Sequence, residues 1–173
     1  MANTGKYLGL TSGVPQEETA INTSAGAGDA SKIIKTDAGG KIDSTLMPAG
    51  VGAETRSVVS SENLSAGDLV NLYNNAGTLN ARKADGSAAG KPADGFVLAG
   101  VTSPAAATVY LEEAPITGLS GFTPGADVFL STTTPGAVTA SVPSGTGKVA
   151  QTVGKALSAT EVMFRRGQPI TLA

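Results

Sequence analysis

The stretch Gly67-Asp68-Leu69-Val70-Asn71-Leu72-Tyr73-Asn74-Asn75-Ala76-Gly77-Thr78-Leu79-Asn80-Ala81 decides the fold class. Two short runs carrying Val, Leu and Tyr flank Asn74-Asn75-Ala76-Gly77, whose Asn and Gly tolerate positive φ, so the stretch predicts a β-hairpin. The same grammar recurs downstream. Short apolar runs bounded by Gly, Pro, Asn and Asp predict further strands near residues 57–60, 96–101, 108–112, 127–131, 137–140, 149–157 and 160–165, with a second hairpin turn at Thr133-Thr134-Pro135-Gly136. No stretch has the apolar period of a normal helix. The expectation is an all-β small barrel spanning 56–173, with Tyr73, Phe96, Tyr110, Phe122, Phe129 and Phe164 filling one core.

The region also echoes itself. Gly67-Asp68-Leu69-Val70 resembles Gly125-Ala126-Asp127-Val128, each followed by a Gly turn and a second run. Farther on, Ala99-Gly100-Val101 leads to Thr108-Val109-Tyr110 much as Val153-Gly154-Lys155 leads to Thr160–Phe164. The barrel therefore reads as two pseudo-equivalent halves.

Residues 1–55 have a different character. Tyr7 is their one aromatic, the aliphatics are scattered, and Gly-rich patches interrupt them, as at Ala25-Gly26-Ala27-Gly28, Gly39-Gly40 and Gly50-Val51-Gly52. Neither helical nor long β periodicity is sustained. Such a segment buries too little apolar surface to offset its own chain entropy, so it is expected either to be disordered or to lie as an extended arm on another surface. Fully extended, it reaches on the order of 180 Å. Its larger apolar side chains, Tyr7, Leu8, Leu10, Ile21, Ile33 and Ile34, are the candidate anchoring residues.

Composition narrows the chemistry. The 173 residues include no Cys and no His, which removes thiolate nucleophiles, disulfides, Cys-ligated metals and imidazole catalysis. The charged fraction is 15%, low against the roughly 25% of globular domains, and the net charge of −2 comes with no basic cluster, which argues against a nucleic-acid partner. No apolar run is long enough for a membrane span, and the opening MANTGKYLGLTSG has no apolar h-region.

The motifs that invite a catalytic reading each have a plainer one. Ser144-Gly145-Thr146-Gly147-Lys148 resembles a phosphate loop, but Val142 and Val149 replace its first Gly and its magnesium-binding hydroxyl, so a surface turn is expected. Glu112 and Glu113 are adjacent, so on a strand they point to opposite faces, and Glu112-Glu113-Ala114-Pro115 reads as a strand end entering a solvated turn. Asp37, Asp43, Asp85 and Asp94 sit in Gly-rich turns without EF-hand spacing. Arg82-Lys83 and Arg165-Arg166 could contact nucleic acid or an acidic neighbour, and charges guarding an exposed strand edge explain them as well. No enzyme activity, cofactor or metal is expected.

A family resemblance then enters. Ser65–Tyr73, Arg82-Lys83-Ala84-Asp85, Pro92–Val97, Ala107–Leu111 and Gly118–Gly125 together look like the β-barrel domain of tailed-bacteriophage capsid decoration, or cement, proteins. Upstream, Lys35-Thr36-Asp37-Ala38-Gly39-Gly40-Lys41-Ile42-Asp43-Ser44-Thr45-Leu46-Met47-Pro48 resembles a linker of phage structural proteins. The resemblance covers roughly residues 32–172 and rests on strand and turn patterns. It implies a homotrimer on the outer capsid surface of a virion assembled in the host cytoplasm. Its arm would run along the major capsid protein and clamp neighbouring subunits, with no membrane partner. A tail or fibre module, structural or receptor-binding, is the alternative; the absence of Trp and the Ala/Gly/Ser-rich loops weigh against its binding a glycan.

Overall fold

The computed structural model describes residues 5–47 and 52–173, and the chain divides into two units, Met1–Gly52 and Ala53–Ala173. Pro48 and Val51, both part of the sequence reading of the arm, lie outside the described residues.

The first unit is not extended throughout. Strands β1 (Lys6–Thr11) and β2 (Val14–Thr19) form an antiparallel hairpin in which Thr11 faces Val14. Its two-residue turn places Ser12 at φ 53° and Gly13 at φ 79°, the pair of positive values that matches the right-handed twist of the strands. The Ser12-Gly13 dipeptide was the missed signal. Single 3-10 turns follow at Ala27–Asp29 and Ser44–Leu46.

The second unit begins with β3 (Glu54–Ser60), β4 (Leu69–Asn75), β5 (Thr78–Lys83), β6 (Gly95–Val97) and β7 (Ala106–Glu112). These five pair in the closed order β3-β5-β4-β6-β7. The expected hairpin is present: Asn75 faces Thr78 across Ala76 and Gly77, at φ 51° and 91°, and the Asn74 side chain accepts the Gly77 N–H at 2.7 Å. Next come β8 (Pro115–Ile116), β9 (Asp127–Leu130), β10 (Val138–Thr139), β11 (Val149–Ala150), β12 (Thr152–Ala156), β13 (Val162–Phe164) and β14 (Ile170–Thr171). They form an open sheet, β10-β9-β12-β13-β8, and a separate β11-β14 pair. The expected strand over 149–157 is broken at Gln151, whose side chain is fully buried. The segment after Glu112 is no solvated turn either, because Ala114 is buried and Pro115 opens β8.

The two halves share one topology. Reading β5-β4-β6-β7-β3 against β10-β9-β12-β13-β8 matches every neighbour. Hydrogen bonds fix the equivalence to the residue: Gly67 N donates to Val97 O as Gly125 N donates to Ala156 O, both at 2.8 Å, and the returning bonds run from Val97 to Asp68 and from Ala156 to Ala126. Gly95 faces Val70, and Gly154 faces Val128. The counterpart of Gly154 is therefore Gly95, and the sequence pairing with Gly100 was five residues out. Both glycines are required by close approach. A Cβ would stand 2.5 Å from Tyr110 O at Gly95 and 2.0 Å from Met163 O at Gly154.

One core was expected; two are found. Val58, Val70, Ala81, Val97, Ala107 and Val109 draw at least one residue from each ring strand into a small aliphatic cluster. Leu69, Phe96, Ile116, Val128, Leu130, Val153, Val162 and Phe164 form the other. Adjacent residues on β4 and β6 point to opposite faces. Leu69 and Phe96 thus serve one core, Val70 and Val97 the other. The aromatics gather in the first: Phe96 lies 5.3 Å from Tyr110 and 5.4 Å from Phe164, centroid to centroid, and Phe122 packs alongside. Tyr73 and Phe129 belong to neither cluster.

Candidate interaction surface

The six candidate arm residues divide into two groups. Alternation along β1 puts Leu8 and Leu10 on one face, where they are 76% and 75% exposed. Tyr7 points the other way, half-buried, donating its hydroxyl to Glu18 Oε2 at 3.1 Å and accepting the Ile33 N–H at 3.4 Å. Ile21 is also half-buried and is tied by its backbone: its N–H donates to Ile33 O at 2.9 Å, its carbonyl accepts from Lys35 N at 2.8 Å, and it forms a parallel bridge with Ile34. Ile33 and Ile34 keep half their surface exposed. Tyr7 and Ile21 therefore hold the unit together, while Leu8, Leu10, Ile33 and Ile34 face outward with Val14 and Ile42. Ala20 is the one buried hydrophobic residue among those described in this unit.

Polar contacts set the shape of the same unit. Lys6 pairs with Glu17 across the hairpin. Asp29 accepts the Ala25 N–H at 2.8 Å and pairs with Lys32 at 2.9 Å; the backbone donor first and the ammonium second hold its carboxyl below the usual range, and Asp29 in turn raises Lys32. Asp37 accepts the N–H groups of Gly39 and Lys41, and Asp43 accepts the hydroxyl and N–H of Thr45, which lower its pKa. Asp37 and Asp43 form turns, as expected of them. In the second unit Asp85 does the same: burial pushes its pKa up, but the Ser87 hydroxyl and N–H and the nearby Lys91 outweigh it.

Asp94 has a different role from its expected turn. Its carboxylate accepts the Asn71 amide and the Leu72 N–H, both at 2.9 Å, and pairs with Arg166 at 2.9 Å. Arg82 is held within the fold as well, by Asn71 Oδ1, the Gly90 carbonyl and the Tyr73 ring at 4.2 Å, and Lys83 pairs with Asp68 at 3.1 Å. These cations stitch strands together: of the two basic pairs, Lys83 and Arg166 make ion pairs, and Arg82 and Arg165 make none among the described residues. Ser144–Lys148 is a turn, with Lys148 N donating to Gly145 O.

The ring brings together one carboxylate pair that sequence spacing hid. Glu54 and Glu112 are register partners, and with Asp94 and Arg166 they line a surface cavity of about 360 Å³. Among the described residues no cluster of His, Cys, Asp and Glu has the geometry to hold a metal ion, and no helix is long and apolar enough to cross a membrane. Comparison with protein-family models, curated proteins and solved structures finds no match to the chain in any of the three.

Proposed function

We propose that the protein is a non-enzymatic structural component of a phage particle, a homotrimeric decoration protein that binds the outer surface of the capsid and clamps neighbouring shell subunits. One observation carries the reading: a unit of about fifty residues presents Leu8, Leu10, Ile33 and Ile34 to solvent, while Ala20 is the one buried hydrophobic residue among those described in it. Apolar surface exposed on this scale marks an interaction site. Many modest contacts repeated over a closed shell give avidity without chemistry. The small β unit that follows supplies a rigid body for such an arm to tether. The family resemblance in its strand and turn motifs names the shell as the partner.

The test is to mix the purified protein with shells that lack it and image the product. Density at three-fold positions supports the reading. Replacing Ile33 and Ile34 together by Asp is expected to abolish occupancy while leaving the circular dichroism of the β unit unchanged. Full occupancy by that variant overturns the arm as the anchor.

A further inference from the structure

The internal equivalence locates a place where one half is finished and the other is not. Tyr110 faces Thr55, and its counterpart Met163 faces Pro115. Counting along the chain, Val59 and Ser60 correspond to Leu119 and Ser120. Across the sheet, Leu72 faces Ala81 as Leu130 faces Val138, so Asn80 and Ala81 correspond to Ala137 and Val138. In the first half Val59 pairs with Asn80 and Ser60 with Ala81, and these two pairs close the ring. In the second half the corresponding residues do not pair. A seam of about 360 Å³ opens between them, with Leu119 and Ser120 on one wall, Ala137 and Val138 on the other and Gly67 between.

The seam has the chemistry of a strand acceptor. Ser131 N donates to Ala137 O, so the β9 ladder takes Ala137 and Thr139 and turns the N–H and C=O of Val138 toward the seam. Its one charged lining residue, Asp68, is already held by Lys83 and by the Ser65 N–H at 2.8 Å. The site therefore favours an uncharged extended backbone.

We propose that the seam accepts strand β1 from a second copy of the chain. Among the described residues β1 pairs with β2 alone and β10 with β9 alone, which leaves one edge of each without a strand partner there. The two-residue turn makes Thr11 and Val14 a hydrogen-bonded pair, so the backbone groups of Leu8 and Leu10 point to the free edge of the hairpin. Leu8-Gly9-Leu10 is uncharged; the opposite edge, β2, carries Pro15, Glu17 and Glu18 and is unsuited. Main-chain pairing of this kind supplies affinity by β-augmentation. Donation from arm to seam is head-to-tail, a contact that makes a ring when its rotation closes and a filament when it does not, and the proposed trimer is the closed case. The assignment rests on reading the first unit as an interchain arm, and it leaves Ile33 and Ile34 for the shell.

The chain has no cysteine, so a disulfide trap is clean. Leu10→Cys protein is mixed with Ser120→Cys protein and oxidised, with Ser87→Cys as the control partner. The expected result is a mixed disulfide dimer in several-fold excess over the control. Val138→Pro, which removes an outward N–H and trims a half-buried side chain at the core edge, is expected to abolish self-association in sedimentation with circular dichroism unchanged. A mixed dimer no more abundant than the control overturns the proposal. So does a Leu10→Cys/Ser120→Cys chain that cross-links within itself. The trap needs no shell, so a mixed dimer together with a failure to bind shells refutes the decoration reading alone.

Discussion

Gln151 grips the backbone of Ala93 from both sides: its Oε1 accepts the Ala93 N–H at 2.7 Å and its Nε2 donates to the Ala93 carbonyl at 2.8 Å. A second Nε2 bond reaches the Gly167 carbonyl at 3.0 Å. The side chain thus acts as a strand partner across 58 residues of sequence, at a position with no exposure. Gln151→Leu leaves the buried groups of Ala93 unpaired, and each such group costs about 1–3 kcal/mol. The expected loss is about 2–6 kcal/mol, read as a lowered urea midpoint. A loss below about 0.5 kcal/mol would mean that water replaces the amide.

The two glycines that match across the halves are expected to respond alike. Gly95→Ala and Gly154→Ala each force a methyl group against a strand carbonyl, at 2.5 and 2.0 Å. Backbone has to move in both cases, which costs about 1–3 kcal/mol or more. Gly154→Ala is expected to be the worse, and Gly100→Ala the mildest, because a Cβ there stands 3.5 Å from its nearest contact, Leu64 O. Thermal melts of the three variants rank them.

The aromatic cluster predicts where truncation hurts most. Phe164→Ala removes a fully buried ring that packs at a tilt against Phe96 and is expected to cost about 3–5 kcal/mol. Phe122→Ala, at the half-buried edge of the same cluster, is expected to cost clearly less. Chemical denaturation of the two variants checks the order.

Acid is expected to loosen the first unit. Folding holds Asp29 below its ordinary value of 3.8, so the unfolded chain binds this proton more readily than the folded one. The associated stabilisation is present above that value and is lost as the pH falls through the lower, folded pKa. Asp43 acts in the same direction. The amide shifts of Ala25 and Thr45, followed by NMR below pH 4, report the change. Asp29→Asn is expected to flatten the Ala25 profile and leave that of Thr45.

The second unit was largely legible because its strands carry their own punctuation. Asn74–Gly77 announced a hairpin, and Gly67 and Gly125 announced the turns that lead into the matching strands β4 and β9. The echo was visible too, but its register was not: Gly95 and Gly100 look alike in sequence, and only hydrogen bonds show which one passes a carbonyl. The division into two cores was hidden because Leu69-Val70 and Phe96-Val97 read as plain apolar runs, whereas each pair splits between two faces. In the arm, Tyr7 and Ile21 could not be told from Leu8 and Leu10, since hydrophobicity alone does not say which side chain a partner segment covers.

Because β4 and β6 form the wall between both cores, the halves of the second unit have no slip plane between them. A pull on one half is transmitted through continuous backbone into the packing of the other. The unit is thus expected to resist tension as one piece and to give way in one step, as suits a tether more than a hinge.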